Sequence, residues 1–262
     1  MSEGDLLPST RSEVRRVGDV VHRAAGPWSP SVQALLRHLE GVGFTGAPRV
    51  VGSGFDAEGR ETLTFIPGDF VHPEAWSDDG IAAVGALLRA LHDASTSFAP
   101  SADAKWQPWF TRDETSSVFG HGDVGPWNIV ASGDIPVAFI DWEFAGPVDR
   151  LDEVAQAAWL NCQLHDDIVA ALNKLPSAPD RARQLRLFAD GYGLRADERA
   201  QLVARMIDHA VRDAANETMQ DGSVKMAKRP TGPGDPGWGV AWRIRSAAWL
   251  VSHRRLLDAA LS

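Results

Sequence analysis

An α+β architecture in two lobes, a small β-rich amino-terminal one and a larger, mainly helical carboxy-terminal one, is what this sequence predicts. Three observations carry it. Short β-branched runs crowd the first quarter of the chain: Val14 to Val17, Val20 to Arg23 and Thr62 to Ile66. From Ile81 onward apolar residues recur at spacings of three and four, the period of amphipathic helices. Between the two regimes of helix, residues 121–143 read HGDVGPWNIVASGDIPVAFIDWE, two short apolar runs around a turn.

In chain order, the small lobe places two strands before a helix over Ser31 to Glu40, then a third β run that a Pro67-Gly68 turn ends. The division into lobes is expected there, 1–68 and 69–262. The first long helix carries Ile81, Val84, Leu87, Leu88 and Leu91 on one face; later stripes are Leu202, Met206, Ile207, Ala210, Val211 and Ala214, then Ile244, Ala248 and Val251. Core packing explains all three. Residues 229–239, RPTGPGDPGWG, are too rich in proline and glycine for anything but a loop. No internal repeat is present. Trp127 and Trp142 flank the 121–143 stretch and are expected to brace it by burying ring area, and Trp242 and Trp249, seven residues apart, to pack on one helix face.

The 121–143 stretch carries the chemistry. Asn128 to Ala131 and Val137 to Ile140 form strands, with Ser132, Gly133, Asp134 and Pro136 supplying the turn. In an antiparallel hairpin the start of the first strand lies beside the end of the second, so Asn128 and Asp141 arrive at one edge. A carboxylate and an amide oxygen there suit Mg²⁺, which takes few protein ligands and completes its shell with water and phosphate oxygens. Asp123, five residues before Asn128, enters from the preceding loop and is assigned as the catalytic base, accepting a hydrogen bond from a substrate hydroxyl. His121 is read as a loop-shaping residue behind this set. A zinc site on His121, Asp123 and Asp141 is a competing arrangement, but no second nearby histidine supports it.

The motifs HGDVGPWNIV and VAFIDWEFAGPVDRLDEVA resemble the catalytic core of the aminoglycoside phosphotransferase family, bacterial small-molecule kinases that share a bilobal protein-kinase-like fold with choline kinases. GPWSPSVQALLRHLEGVGFTGAPRVVG, TLTFIPGDF, IAAVGALLRALHDAS and LRLFADGYGL extend the likeness over residues 14–195. The resemblance implies an amino-terminal nucleotide-binding lobe with a hinge, and a carboxy-terminal lobe for catalysis and acceptor binding. It implies that Thr64, Phe65 and Ile66 form the adenine hinge through backbone groups. It places Arg23 where the family usually has a phosphate-binding lysine, and makes Asp152 an aspartate that organises the catalytic region. Two family features are missing: no glutamate occurs at Val32 to Leu36 to pair with that cation, and Leu6 to Gly18 holds a single glycine where a glycine-rich cover is expected.

The resemblance further implies that the carboxy-terminal helices and their loops build the acceptor pocket, which makes Asp235 and Trp238 candidate contacts. Asp213, Glu217 and Asp221 recur every four residues and either meet a bound amine or form a solvated helix face. The expected reaction is transfer of the terminal phosphoryl group of ATP or GTP, with Mg²⁺, to a hydroxyl of a small acceptor such as an aminoglycoside. Choline, an amino alcohol, a sugar and a macrolide are alternative acceptors. A pseudokinase that binds without chemistry and, more remotely, a metal-dependent hydrolase complete the alternatives.

The 262 residues suffice for a sizeable core, and 44% hydrophobic with 23% charged residues is an ordinary globular balance. The net charge of −9 disfavours nucleic acid, whose binding needs Lys and Arg on phosphates. The lone Cys162 excludes an internal disulfide and agrees with a reducing compartment. With no signal-like segment or membrane-length apolar run, the expectation is a cytoplasmic protein, a monomer or weak dimer, whose partners are a nucleotide and a small acceptor.

Overall fold

A computed structural model describes residues 5–7, 13–109, 116, 118–221, 234–235 and 237–262. The small lobe is an antiparallel five-stranded sheet of β1 (Asp5–Leu7), β2 (Val14–Val17), β3 (Val20–Arg23), β4 (Val50–Phe55) and β5 (Glu61–Thr64), in the order β1-β2-β3-β5-β4. Helix α1 (Ser29–Gly41) carries Pro30 in its first turn, where a missing N–H costs nothing, and buries Val32, Leu35, Leu36 and Leu39. Strand β5 stops at Thr64, two residues before the end expected from its β-branched run. Phe65 is still tied in, its N–H donating to the Asp19 carbonyl at 2.8 Å. Strand β4 is interrupted by Gly52 and Gly54, which hid it from a reading based on β-branched runs.

The large lobe opens with α2 (Asp78–Ser95), capped by the Ser77 hydroxyl accepting from the Gly80 N–H and carrying Asp78 and Asp79 in its first turn. It buries Ile81, Val84, Leu88 and Leu91. It lies along α5 (Ala178–Tyr192). A Cβ on Gly85 would stand 2.3 Å from the Phe188 carbonyl oxygen and one on Gly191 2.0 Å from that of Ala82, so only glycine permits this approach. Strands β7 (Ile129–Ser132) and β8 (Ile135–Phe139) form the hairpin, pairing Ile129 with Phe139 and Val130 with Ala138. A short pair, β6 (Phe119–Gly120) with β9 (Gly146–Pro147), fixes the chain on either side of it.

The remaining helices are α3 (Arg150–Asn161), α4 (Asp167–Leu172), α6 (Ala196–Asp221), α7 (Trp238–Ser252) and α8 (Arg254–Leu261). The core they share with α2 and the hairpin holds Trp76, Trp142, Trp159, Phe139, Phe188 and Tyr192, all fully buried. At the 229–239 loop, residues 229–233 and 236 lie outside the described residues, while Trp238 and Gly239 already belong to α7. Gly237, in the left-handed region at φ 75°, turns the chain into that helix. Among the described residues no helix is long and apolar enough to cross a membrane.

Candidate functional site

Residues 121–128 form a loop held from beneath. Gly122 adopts φ 83°, and a Cβ there would lie 2.1 Å from the Phe144 carbonyl oxygen, so the loop packs against the backbone in a way only glycine allows. The Gly122 N–H donates to Glu153 Oε1 at 2.6 Å, the Val124 N–H to Gln156 Oε1 at 3.1 Å, and Asn161 Nδ2 to the Val124 carbonyl at 2.9 Å. One face of α3 thus clamps the loop. Glu153 is fully buried, and its second oxygen lies 2.6 Å from His92 Nε2, whose Nδ1 lies 2.7 Å from the Tyr192 hydroxyl. The His92 contact and the Gly122 N–H hold the Glu153 carboxyl below its usual range against the opposing pull of burial, the largest effect on it.

His121 is also buried. Its Nε2 donates to the Ile140 carbonyl at 2.7 Å, and its Nδ1 accepts from the Asp123 N–H at 3.3 Å, an arrangement that suits the neutral ring. Burial lowers its pKa, which also keeps it neutral. It therefore ties the loop to the end of the hairpin and fixes the Asp123 backbone.

Asn128 closes a 3₁₀ turn, Pro126–Asn128, and so sits just ahead of β7 and not in it as the sequence suggests. The juxtaposition survives, because the Ile140 N–H donates to the Asn128 carbonyl at 2.9 Å and carries the hairpin register one step past Ile129 and Phe139. Asn128 and Asp141 therefore stand together at the open end. Asn128 Nδ2 donates to the Asp123 carbonyl at 2.9 Å and to Asp123 Oδ2 at 3.1 Å, which leaves the Asn128 side-chain oxygen as its remaining acceptor. Asp141 is held in the left-handed region, φ 62° and ψ 61°, a conformation that an aspartate tolerates at modest cost. Its side chain remains 41% exposed. An amide oxygen and an accessible carboxylate on adjacent chain segments fit a hard cation with open positions.

Arg23 reaches this edge from the small lobe. Its side chain is 10% exposed, and the guanidinium contacts three carboxylates: Asp141 at 2.6 Å, Glu143 at 3.2 Å and Glu61 at 3.5 Å. Burial opposes the charge, but the carboxylates prevail and its pKa is raised. Glu61 pairs with Arg23 across the β3–β5 ladder. The carboxylate absent from the helix is thus supplied by the neighbouring strand. Gln33, on α1, donates to Glu61 Oε1 at 3.4 Å and to the Gly54 carbonyl at 2.9 Å, so the helix still steadies the pair without adding charge. Burial pushes the Glu61 carboxyl up, against the lowering effect of Arg23. One guanidinium faces three carboxylates here, which leaves this edge with a net negative charge. Neither Glu61 nor Glu143 stands out by sequence motif, since their roles depend on strand pairing and on the 3₁₀ turn Trp142–Phe144 that follows Asp141.

The hinge candidates run along the joint between lobes. Thr64 donates its N–H to the Arg49 carbonyl and receives the Arg49 N–H on its hydroxyl, both at 2.8 Å, and the Arg16 guanidinium stacks 3.7 Å from the centre of the Phe65 ring. No hydrogen bond to the Ile66 amide occurs among the described residues. The β1–β2 connection, residues 8–12, lies outside the described residues.

Asp152 turns away from the catalytic loop and pairs with Arg205 at 2.6 Å and Arg212 at 2.8 Å, joining α3 to α6. Glu153, its neighbour, is the residue that touches the loop. The acidic stripe on α6 is engaged by an arginine: Asp213 pairs with Arg243 at 2.6 Å and Glu217 with the same guanidinium at 3.6 Å. The side chain of Asp221 lies outside the described residues. Asp235 accepts the Trp238 N–H on its carbonyl at 3.0 Å and so helps start α7. Trp142 is buried, its Nε1 donating to the Phe139 carbonyl, but Trp127 is 38% exposed, contrary to the expected burial of both. No group of three His, Cys, Asp or Glu poised for a metal occurs among the described residues, which leaves the zinc arrangement without support.

A five-stranded antiparallel sheet over a helical lobe, with an Asp-bearing loop, a hairpin ending in Asn and Asp, and a buried cation on the third strand, defines a protein-kinase-like phosphotransferase. Residues 104–203 match the model of the phosphotransferase enzyme family. The chain belongs to that family. It is 49% identical over 260 residues to the trifolitoxin immunity protein of Rhizobium leguminosarum bv. trifolii, covering 98% of both chains. Among solved structures it shares the fold of a choline/ethanolamine kinase family protein from Mesorhizobium loti (TM-score 0.61, 14% identity, 99% of this chain and 92% of that one). It also shares that of a microcompartment-associated aminopropanol kinase (TM-score 0.60, 11% identity, 99% and 94%). A spectinomycin phosphotransferase in complex with ADP and spectinomycin aligns as well (TM-score 0.58, 10% identity, 97% and 92%).

Proposed function

We propose that this protein is a Mg²⁺-dependent kinase that transfers the terminal phosphoryl group of ATP or GTP to a hydroxyl of a small toxic compound, and so protects the cell that carries it. The observation that carries the reading is the meeting of Asp123, Asn128, Asp141 and Arg23 at the open end of the hairpin. The family relation supports the chemistry, and the relative named for immunity to trifolitoxin supports the protective role.

In this reading the Asp123 carboxylate receives the proton of the acceptor hydroxyl. That oxygen bonds to the terminal phosphorus as the bond from phosphorus to the nucleoside diphosphate oxygen breaks. Asn128, by donating to Asp123, keeps the carboxylate oriented toward the incoming hydroxyl. Asn128 and Asp141 would hold the metal, which when bound neutralises phosphate charge. Arg23, positioned by Glu61, would take the phosphates, its planar fork suited to two oxygens at once. Thr64 and Ile66 would present backbone groups to the base. The acceptor stays open at this level among aminoglycosides, choline and other amino alcohols, sugars and macrolides.

A second reading, binding without transfer, draws on the close pairing of Arg23 with Asp141 and on the absence of glycine between β1 and β2. Incubating the protein with Mg²⁺, labelled ATP or GTP and a panel of hydroxyl compounds separates the two. Labelled product that disappears in Asp123→Asn supports the kinase; nucleotide-induced thermal stabilisation with no product across the panel supports the binder.

A further inference from the structure

Behind the clamp that α3 places on the 121–128 loop, four side chains from α2, α3 and α5 form an unbroken row of polar contacts. Arg150 Nη1 lies 3.0 Å from the Tyr192 hydroxyl, that hydroxyl lies 2.7 Å from His92 Nδ1, and His92 Nε2 lies 2.6 Å from Glu153 Oε2. Glu153 Oε1 then accepts the Gly122 N–H at 2.6 Å, one residue before Asp123. Tyr192, His92 and Glu153 are each at most 2% exposed, and Tyr192 is the single tyrosine of the chain. At the outer end Arg150 pairs with Glu198 at the start of α6, which also accepts the Arg195 N–H at 3.0 Å.

The two ends of the row fix the direction of every bond within it. A guanidinium only donates and an ionised carboxylate only accepts. The Tyr192 oxygen therefore takes the hydrogen of Arg150, and its own O–H has a single acceptor in reach among the described residues, His92 Nδ1. A ring that accepts at Nδ1 carries its proton on Nε2, which donates to Glu153. With the ring charged, both of its nitrogens would donate. The Tyr192 hydrogen would then lose its acceptor in a dry site, and a second cation would be buried two contacts from Arg150. The chemistry of the ends agrees: burial, the largest effect, pushes the Tyr192 hydroxyl up to about 12, so it keeps the hydrogen it donates, and Glu153 stays ionised below its usual range.

We propose that His92, as the neutral ring with its proton on Nε2, is a positioning residue for the 121–128 loop, and that Tyr192 and Arg150 set that tautomer from α5 and α3. Bonds aligned in one direction polarise one another, so the grip of Glu153 on the Gly122 N–H is strengthened by groups that never touch the loop. The proposal deepens the phosphotransfer reading and rests on it only for calling the loop catalytic. Its test needs neither nucleotide nor acceptor.

The first measurement is ring ¹⁵N NMR of the whole protein labelled at histidine, with the His92 signals identified by their loss in His92→Gln and their displacement in Tyr192→Phe. One protonated nitrogen, Nε2, and one unprotonated nitrogen, Nδ1, are expected. Two protonated nitrogens, or the proton on Nδ1, overturn the assignment. The second is amide hydrogen exchange. Tyr192→Phe removes one oxygen atom and is expected to speed exchange of the Gly122 amide about tenfold beyond any change at the Leu202 amide in the core of α6. An unchanged Gly122 amide, or one accelerated only in step with Leu202, reduces the row to general packing and overturns the proposal. The acceptor panel with Mg²⁺ and labelled nucleotide keeps the two readings apart. The expected ring signature and exchange in a protein that labels no alcohol keep the positioning row and remove the transfer. Labelled product with a doubly protonated His92 keeps the kinase and removes the row.

Discussion

The open end of the hairpin and the helices of the large lobe are built on opposite electrostatic plans. At the open end of the hairpin one arginine faces Asp141, Glu143 and Glu61 at 2.6 to 3.5 Å, a net excess of negative charge. In the helical lobe carboxylates are matched by Arg243, Arg245, Arg205 and Arg212. The matched charge at the second ties the helices to one another, so those carboxylates are taken up in packing.

That contrast can be broken at several points. The largest effect is expected at Asp123: replacement by Asn should lower kcat by about 10²- to 10⁴-fold while leaving nucleotide binding, read by thermal shift, unchanged. Next is the buried support of the loop. Glu153→Gln leaves His92 and the Gly122 N–H with a weaker partner in a dry site, and should cost up to about 3–5 kcal/mol in urea unfolding. The Glu153 carboxyl is depressed on folding, so its contribution is present above the unfolded value of 4.5 and is lost as pH falls through the lower folded value.

The helical end brings its own pH signature. His165 and His209 are fully buried, and burial, the leading cause, pushes each from 6.5 down to about 3. The unfolded chain therefore binds more protons between about pH 3 and 6.5, and stability must fall as pH drops through that window. The slope, read from urea midpoints, should approach about 1.4 kcal/mol per pH unit for each histidine. At the nucleotide end, Glu61→Gln should raise the nucleotide KM about tenfold by loosening Arg23, and adding Gln33→Glu should recover most of it by returning the charge to the helix. An unchanged KM in Glu61→Gln would show that Asp141 and Glu143 alone hold the guanidinium. The smallest effect is expected at Glu217→Gln, a half-exposed pair with Arg243 worth within about 0.5 kcal/mol.

How much of this was legible beforehand depended on whether a feature is local. The hairpin is local: strand periodicity and a Gly133 turn bring Asn128 and Asp141 together, even though Asn128 lies in a 3₁₀ turn one step short of the strand. Helices α2 and α6 were legible from their stripes for the same reason, whereas on α7 the expected core stripe of Ile244, Ala248 and Val251 faces solvent and Ser246, Ala247, Trp249 and Leu250 are buried instead, because α7 turns its small and aromatic residues toward its neighbours. The partner of Arg23 was not, because Glu61 faces it through a pairing across 38 residues, and helix-based reasoning looked for a glutamate where Gln33 stands. Asp152 and Glu153 are adjacent in sequence but leave α3 in different directions, one to α6 and one to the loop. Only the packing of α2, with His92, distinguishes them.

By itself the sequence determined that Asp123, Asn128 and Asp141 come together, since they sit on one short segment whose backbone geometry follows from period-two strands and a tight turn. The tertiary structure alone decided which cation and which carboxylates surround them, and whether the acidic stripe of α6 is available to a ligand. Those outcomes depend on side chains from β3, β5, α3, α6 and α7 competing for the same partners, and the energy of a charge pair depends on distance and burial, which no spacing along the chain specifies.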